Sequence, residues 1–319
     1  MKCLPPSDGS IHTASALLLN LGAHRKLEGL PTVSVIMPNL NMGRFIGTAV
    51  QSVLDQSFED FELVVVDSGS TDDSVQIVEG IAKTDDRVRL LVDTSRKGVS
   101  YARNRAMREA SGRYYSFVDS DDLIRPQRLA LIVGALERAP QHIAFSDLFR
   151  IDENGRVIRE SLLSRLPDEG HAYASILTRQ VQGQHTMVIP ASAIEKVGGF
   201  DESIYWGEDF DLLLRLTQVY EVTLIKEPLY GYRRHSASAS TSTPIRSKGE
   251  AYISILESNL KRNWGSLDNE TRLKTILRIQ GIAKESHVMN KYISWKIDPR
   301  FVRLVSLRLA QRALHRTHD

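Results

Sequence analysis

Apolar runs and amphipathic segments alternate along the first 120 residues. Short apolar stretches bounded by turn residues are typical of strands buried inside a parallel sheet. Four such stretches predict strands, at 31–41 (PTVSVIMPNLN), 61–70 (FELVVVDSGS), 87–93 (RVRLLVD) and 113–119 (RYYSFVD). Apolar residues at helical spacing predict the intervening helices, at 43–57, at 71–83 with Asp72 or Asp73 as cap, and at 98–111 with Gly112 closing it. This alternation predicts an α/β fold with a mostly parallel central sheet flanked by helices.

The second half of the chain has a more mixed pattern. It predicts, in order, a hairpin over 144–158 turned on Glu153-Asn154-Gly155, a strand and helix over 187–202, an amphipathic helix over 208–220, a strand pair around Pro228, and helices from about 246 to the end with a break at Pro299.

These patterns divide the chain into three regions. We expect an N-terminal extension at 1–30, an α/β domain at 31–245 with halves at 31–125 and 126–245, and a helical C-terminal extension at 246–319.

Polar residues follow the first, second and fourth predicted strands, in the sequences PNLN, DSGSTD and DSDD. Ligands of parallel α/β sheets bind outside the carboxyl ends of the strands, so these three ends should meet in one crevice. Asp67, at the end of the second strand, is suited to accept a hydrogen bond from a nucleobase. The alternative is an Asx turn that caps the next helix.

Three carboxylates crowd the end of the fourth strand, on Asp119, Asp121 and Asp122. Side chains two apart share one face of an extended strand, and a turn at this point would change the directions in which Asp119 and Asp121 point. Hard oxygen ligands of this kind suit Mg²⁺ or Mn²⁺. The alternative interpretation is a helix cap at Asp122 with solvated neighbours.

Composition and cysteine content narrow the setting. With 319 residues, 42% hydrophobic and 25% charged, the chain is typical of a soluble globular protein with a well-buried core. The single cysteine, Cys3, excludes an intramolecular disulfide and a cysteine-ligated metal site. No stretch approaches the roughly 18–20 apolar residues of a membrane span, and the N-terminus lacks the basic lead of a signal peptide. We therefore expect a cytoplasmic protein.

The net charge of +2 conceals an asymmetry. Residues 246–319 hold 15 Lys and Arg against 7 Asp and Glu, and the preceding residues hold 26 against 32. Segment 296–316 (KIDPRFVRLVSLRLAQRALHR) combines this basic character with an apolar stripe. It would suit peripheral association with anionic lipid on the inner face of a membrane. The favoured alternative is that its apolar stripe packs on the α/β domain or on a second subunit of a homodimer. Nucleic-acid binding is disfavoured, since the basic residues lack interleaved aromatics and a recognisable module.

The ordered set of motifs is more specific than any one of them. VSVIMPNLN, FELVVVDSGSTDDS, KGVSYARNRAM, YYSFVDSDD, VGGFDE, GEDFDLLLRL and YGYRRH follow one another over residues 32–235, about two-thirds of the chain. In this order and spacing the chain resembles glycosyltransferase family 2. The resemblance implies a GT-A (Rossmann-like) fold and an enzyme that transfers a sugar from a nucleotide-diphosphate donor with inversion.

The resemblance implies a donor site in the 31–125 half. Its residues are Pro38, Asn39, Asp67, Ser68, Arg103, Asp119, Ser120 and Asp121. Asp121 is implied as the direct ligand of a divalent metal (Mn or Mg), with Asp119 toward the ribose and His235 approaching the metal or the diphosphate. Family members often stack an aromatic side chain on the base where this chain has Leu40. A UDP-sugar is the donor we expect.

The resemblance also implies that catalysis lies in the 126–245 half, on the pair Glu208-Asp209. Asp209 is implied as general base, because inversion requires an acceptor hydroxyl to lose its proton as it attacks opposite the leaving diphosphate. Its position at a helix N-terminus leads us to expect the ionised form. A glycan or lipid-linked acceptor would then meet Trp206, Tyr205 and Asp201, whose alternative role is core packing. Roles for Lys97, Arg233 and Arg234 stay open.

The leading hypothesis is a metal-dependent glycosyltransferase of surface polysaccharide or lipopolysaccharide synthesis. A nucleotidyltransferase is one alternative, but PNLNMGRF is a poor phosphate loop after the first strand. A non-catalytic nucleotide-sugar-binding protein is another, and the intact Glu208-Asp209 pair disfavours it.

Overall fold

The structure, a computed structural model, describes residues 29–160, 169–179 and 184–288. Segment 296–316, Cys3 and nearly all of the predicted N-terminal extension lie outside these ranges. None of the helices within the ranges has the length and apolar character needed to cross a bilayer.

The first half of the described chain alternates strands and helices as the pattern predicts. Its elements are β1 (Val33–Asn39), α1 (Gly43–Leu54), β2 (Phe61–Asp67), α2 (Ser74–Ala82), β3 (Val88–Val92), α3 (Val99–Glu109), β4 (Tyr114–Phe117), β5 (Leu123–Ile124) and α4 (Arg128–Arg138).

The second half begins with a hairpin and ends in two long helices. Its elements are β6 (His142–Ile151), β7 (Val157–Arg159), β8 (Glu169–Gly170), α5 (Tyr173–Thr178), a 3₁₀ turn (Gln184–Thr186), β9 (Val188–Pro190), α6 (Ala191–Val197), α7 (Glu208–Leu216), β10 (Glu221–Arg233), α8 (Ala239–Ser242), α9 (Ile245–Arg262) and α10 (Asn269–Glu285).

The strands form one mixed sheet in the order β3-β2-β1-β4-β9-β6-β10-β5, with β7 beside β6 and β8 beside β10. The longest pairings, among β1 to β4 and between β6 and β10, are parallel. Strand β9 is antiparallel to both β4 and β6 and joins the two halves. Because β1 lies between β2 and β4, the polar ends of these three strands are neighbours at one edge of the sheet.

Alternate side chains of β1 pack into two separate cores. Val35 and Met37 face the core that contains Ile46 and Val50 of α1. Ile36 faces the other core, which contains α3. A strand that is apolar on both faces must be covered on both, so the continuous run VSVIM specifies a central position in the sheet.

The core on the α3 side extends past residue 245. It unites Leu213 of α7 with Leu256 of α9 and Ile276 of α10, all of them buried. Helices α9 and α10 also pack on each other, and α10 packs on α5. The described part of the C-terminal region therefore lies against the α/β domain. The predicted boundary at 245 stays a prediction.

The hairpin turned on Glu153-Asn154-Gly155 is confirmed: β6 and β7 pair antiparallel, and Gly155 has a φ of 82°. The predicted strand pair around Pro228 is wrong. One strand, β10, runs through the proline, and its register against β6 shifts on either side of it. Proline offers no N–H to the ladder, and here the strand accommodates it as an irregularity instead of ending.

Gly112 does not close α3 as predicted, since the helix already ends at Glu109 and Ala110 is extended. The glycine instead allows a close approach to β1. A Cβ at position 112 would lie 2.5 Å from the Ser34 nitrogen, and the Gly112 N–H donates to Ser34 Oγ at 2.8 Å.

Candidate active site

The ends of β1 and β2 are joined by side chains. Asn39 Nδ2 donates to Asp67 Oδ2 at 2.7 Å, and the Ser68 N–H donates to the Asn39 carbonyl at 2.9 Å. Asp67 also accepts from the N–H groups of Gly69 and Ser70 and from the Ser70 hydroxyl. A carboxylate offers about four lone-pair sites, so all of them are used in this turn. A nucleobase that bound Asp67 would have to replace one of these bonds.

Asp119, Asp121 and Asp122 form a tight turn after β4, here called the acidic turn (119–122). One carboxylate oxygen from each of the three aspartates lies within 4.8 Å of the others. The Asp122 N–H donates to the Asp119 carbonyl at 3.1 Å and closes the turn. Asp122 and Ser120 are buried, whereas Asp119 and Asp121 are partly exposed. The turn thus brings together the acids that the sequence placed at the strand end.

The pKa values of the three acids are shifted in different directions. Burial disfavours ionisation of Asp119, but Arg103 outweighs it and lowers the pKa of Asp119. Burial, followed by the charge of Asp119, raises the pKa of Asp121. Burial, followed by the charges of Asp121 and Asp119, raises the pKa of Asp122 well above its usual value. Three acids so close together cannot all ionise cheaply without a cation. Their carboxylate oxygens, and the repulsion that a cation would relieve, fit Mg²⁺ or Mn²⁺.

His235 lies beside the acidic turn. Its Nε2 is 2.9 Å from Asp121 Oδ2, and its side chain is almost fully buried. The ring packs against Phe45 of α1 at 4.6 Å between centroids. The residue after the YGYRR segment is therefore placed next to the second aspartate of the Asp-x-Asp motif.

Arg103 of α3 bridges the acidic turn and the start of α7. Its Nη2 donates to Asp119 Oδ1 and its Nη1 donates to Glu208 Oε1, each at 2.7 Å. Arg103 as a whole is 5% exposed, and its guanidinium lies over the Phe200 ring at 5.2 Å. These carboxylates hold the Arg103 pKa above its usual range despite burial. One buried cation therefore links the two acidic motifs.

Helix α7 begins at Glu208, directly after Gly207, which has a left-handed φ of 81°. Asp209 Oδ1 accepts from the Phe210 N–H at 2.7 Å. Burial, followed by the charge of Glu208, raises the pKa of Asp209 to about 7. The shift is opposite in direction to the one expected from the helix N-terminus alone, because burial and the neighbouring acid outweigh the helix dipole. A carboxylate with this pKa is a stronger base than an ordinary aspartate.

Two of the three residues predicted to meet an acceptor, Tyr205 and Trp206, lie next to α9. Tyr205 is exposed, and its hydroxyl donates to the Ser247 carbonyl at 2.8 Å. Trp206 is half-buried, with the Lys248 Nζ 5.0 Å from its ring. Asp201 is exposed and accepts from the Ser203 N–H and hydroxyl. Tyr205 and Trp206 thus lie against the first turn of α9, whereas Asp201 closes a surface turn.

Sequence reasoning missed three residues that contact this site. Tyr230 is fully buried and accepts from the Asp119 N–H at 3.1 Å. Arg128 is fully buried beside Tyr230. His185 packs edge-on against Tyr230, and burial lowers its pKa to about 4. The alternation in YGYRRH predicts that Tyr230 lies on a strand, but nothing local indicates which turn it meets. Of the residues left open, Arg233 also contacts the acidic turn, through Asp121 and Asp122.

The sheet carries an Asp-x-Asp turn at its strand ends and a Glu-Asp pair at a helix start. This fold and site define the class of GT-A glycosyltransferases. The profile described as Glycosyl transferase family 2 matches residues 34–201, more than half of the chain. The chain belongs to glycosyltransferase family 2 and is a glycosyltransferase.

Curated relatives cover much of the chain. It is 30% identical over 246 residues to the succinoglycan biosynthesis protein ExoO of Rhizobium meliloti, covering 74% of this chain and 70% of ExoO. It is 26% identical over 216 residues to glycosyltransferase GlyG of Streptococcus pneumoniae, covering 65% of this chain and 72% of GlyG. It is 27% identical to chondroitin synthase of Escherichia coli over 74% of this chain, but spans only 34% of that longer protein.

Solved structures agree in fold. The crystal structure of S. aureus TarS 1–349 in complex with UDP-GlcNAc superimposes with a TM-score of 0.65 at 18% identity, covering 86% of this chain and 79% of the other. The longer S. aureus TarS structure gives a TM-score of 0.62 at 20% identity, covering 84% of this chain and 46% of the other. The GT-A fold expected from the sequence is therefore confirmed.

Proposed function

We propose that this glycosyltransferase moves a sugar from a nucleotide-diphosphate donor to a hydroxyl of a glycan or lipid-linked acceptor, with inversion. The Arg103 bridge carries the proposal, because it places the acidic turn and the Glu208-Asp209 pair in one site. A donor diphosphate at the first motif would then lie near a base at the second. This is the arrangement that an in-line displacement at the anomeric carbon requires.

The donor end of the site is the acidic turn with the ends of β1 and β2. Asp121, Asp119 and His235 would hold a divalent cation, Mn²⁺ or Mg²⁺, next to the diphosphate. When bound, such an ion offsets the negative charge that develops on the leaving group. The other proposed donor contacts are Pro38, Asn39, Asp67, Ser68, Arg103 and Ser120. These residues lie at the ends of β1 and β2, on α3 and in the acidic turn.

The acceptor end is the start of α7. Asp209 would remove the proton from the attacking hydroxyl, and its raised pKa of about 7 matches that task near neutral pH. Glu208 is held by Arg103, and its negative charge raises the Asp209 pKa, which would make the Asp209 carboxylate a stronger base toward the acceptor hydroxyl. Trp206 and Tyr205 offer aromatic faces on which an acceptor sugar would lie, and Asp201 is a proposed polar contact at the rim.

The substrate classes follow from the relatives. The S. aureus protein TarS was crystallised with UDP and with UDP-GlcNAc, which supports a UDP-sugar as the donor. The relatives named for succinoglycan biosynthesis and chondroitin synthesis support a role in polysaccharide synthesis. We further propose action at the cytoplasmic face of a membrane, with segment 296–316 as the contact to lipid, to the catalytic domain or to a second copy.

A thermal-shift screen of sugar nucleotides, with and without Mn²⁺, tests the donor assignment. A UDP-sugar should raise the midpoint of unfolding only when Mn²⁺ is present. The same mixtures should slowly release free sugar and UDP, because a transferase without its acceptor still transfers to water. Protection by the nucleotide without any release of sugar would contradict the proposed reaction. Protection that is equal in EDTA would contradict the metal.

A further inference from the structure

The backbone of the acidic turn is tied to a side chain on a distant strand. Val118, the residue after β4, still donates its N–H to the Ile36 carbonyl of β1. The next N–H, that of Asp119, donates to the Tyr230 hydroxyl at 3.1 Å. A phenol oxygen therefore takes the place of the next backbone partner at the point where the strand becomes the turn.

Tyr230 is itself fixed from two directions. The Arg128 guanidinium lies 5.5 Å from the Tyr230 ring centroid, and the His185 ring lies edge-on at 5.1 Å. Arg128 is fully buried, with Nη1 donating to Ser116 Oγ at 2.8 Å and Nη2 donating to the Thr186 carbonyl at 2.7 Å. It forms no ion pair with any carboxylate of the described ranges. This cation therefore ties β4 and the 3₁₀ turn to the face of Tyr230.

Strand β10, which carries Tyr230, also holds the far end of the acidic turn through Arg233. The Arg233 N–H donates to Asp122 Oδ1 at 2.8 Å, and Arg233 Nε donates to the Asp121 carbonyl at 2.6 Å. Tyr230 thus restrains the first residue of the turn, and Arg233 restrains the last two. These restraints act against the repulsion that neighbouring ionised carboxylates exert on one another.

We propose that Tyr230, held by Arg128, is a positioning residue that keeps the acidic turn in the conformation that receives a divalent cation and the donor diphosphate. The inference rests on the proposed function, since it assigns Tyr230 to the same site. Tyr230 acts through the Asp119 backbone and through its hydrogen bond to the Asp122 carboxyl, and it contacts no reacting atom. Loss of its hydroxyl leaves the Asp119 N–H without its partner, so the turn gains alternative conformations. A cation must then order the turn as it binds.

Tyr230→Phe tests the inference, because it removes one oxygen and keeps the ring that Arg128 and His185 contact. Amide hydrogen exchange of metal-free protein should become faster over 118–122. Mn²⁺ affinity in the presence of UDP, measured by calorimetry, should fall by about tenfold, the effect of losing one buried hydrogen bond. Tyr115→Phe is the matched control. Tyr115 is buried on β4, and its hydroxyl donates to the Met107 carbonyl, away from the turn. We expect neither measurement to change in it.

A milder variant tests the part of Arg128. Ser116→Ala removes the acceptor of Arg128 Nη1 and leaves Tyr230 intact, so it should change exchange and Mn²⁺ affinity in the same direction by a smaller factor. Exchange and affinity equal to wild type in Ser116→Ala would remove Arg128 from the proposal.

The outcomes separate the inference from the proposed function. Equal Mn²⁺ affinity in Tyr230→Phe and wild type overturns the inference, whatever the exchange rates are. Failure of the wild type to bind Mn²⁺ with UDP overturns the proposed metal-dependent donor site instead. Faster exchange over 118–122 together with weaker Mn²⁺ binding, both absent from Tyr115→Phe, supports the inference.

Discussion

Arg103 Nη1 lies 2.7 Å from Glu208 Oε1, although the two residues are 105 positions apart in the chain. The contact joins a helix of the first half to the first turn of α7 in the second half. Because the same guanidinium also binds Asp119, it fixes the separation between the two acidic motifs. Most of the expected behaviour of the site follows from this bridge and from the groups on either side of it.

Removal of the bridge should destabilise the protein as well as impair it. Arg103→Met leaves two carboxylates without their cation, and breaking a buried pair in this way costs about 3–5 kcal/mol. Urea denaturation would measure the loss. Adding Glu208→Gln removes one of the stranded charges, so the double variant should be less destabilised than the two single effects added together. Additive effects would show that the two residues do not interact.

Asp209→Asn should separate binding from transfer. The amide cannot accept a proton from the acceptor, so the transfer rate should fall by about 10²–10⁴-fold, while the affinity for the nucleotide stays unchanged. Single-turnover kinetics and calorimetry measure the two quantities. Asp211→Asn is a suitable control, since Asp211 lies in the same helical turn but pairs with Arg215. Full transfer by Asp209→Asn would refute the base assignment.

The pH dependence of the reaction should report Asp209. Its pKa is raised to about 7, and a general base works only when ionised, so kcat/KM should fall as the pH drops through about 7 and level off above it. The residual activity of Asp209→Asn should lack this step. A wild-type profile that is flat from about pH 5.5 to about pH 8.5 would contradict the assignment, because this range covers the titration of a group with a pKa of about 7.

Loss of Asp121 should abolish the metal dependence of donor binding. In Asp121→Ala the proposed direct ligand is gone, so we expect Mn²⁺ to add less than about a tenth of its wild-type effect on UDP affinity. Calorimetry with and without EDTA measures that effect. Asp85→Asn is a control at a distance, because Asp85 pairs with Arg87 near the start of β3. An unchanged Mn²⁺ effect in Asp121→Ala would place the cation elsewhere.

Leu40 offers a gain-of-affinity test. Its side chain is 44% exposed just beyond β1, where family members often place an aromatic on the base. Leu40→Tyr should tighten UDP binding by about 1 kcal/mol, roughly fivefold, because a base stacks better on an aromatic ring. Leu131→Tyr, at an equally exposed site on α4, should have no effect. Weaker UDP binding in Leu40→Tyr would show that the base lies elsewhere.

The sheet could be predicted from the sequence because its strands are specified locally. The run VSVIM is apolar at every position except Ser34, and the structure covers β1 on both faces. The polar ends of β1, β2 and β4 could be placed together for the same reason. The break predicted at Pro228 was wrong because proline disfavours strands locally, whereas here the register between β10 and β6 shifts on either side of the proline and the strand continues.

Contacts that depend on the tertiary fold could not be predicted. Arg128 looks like a solvated charge in sequence, yet it is fully buried without an ion pair in the described part of the chain. The protonation of Asp209 depends on burial and on Glu208, which outweigh the local effect of the helix end. Tyr230 carries no signal that it meets the Asp119 amide 111 positions away.

Helix α9 covers Gly207 at the start of α7, and this contact limits how far the chain can be shortened. Gly207 is packed so tightly under Ile255 and Tyr252 that an added methyl would lie 3.2 Å from Ile255 Cδ1. Truncation after residue 245 would remove α9 from the helix that carries Asp209. The apolar side chains of α7 that pack on α9 would then be exposed to water. A graft of this transferase onto another scaffold would therefore need to include both α9 and α10.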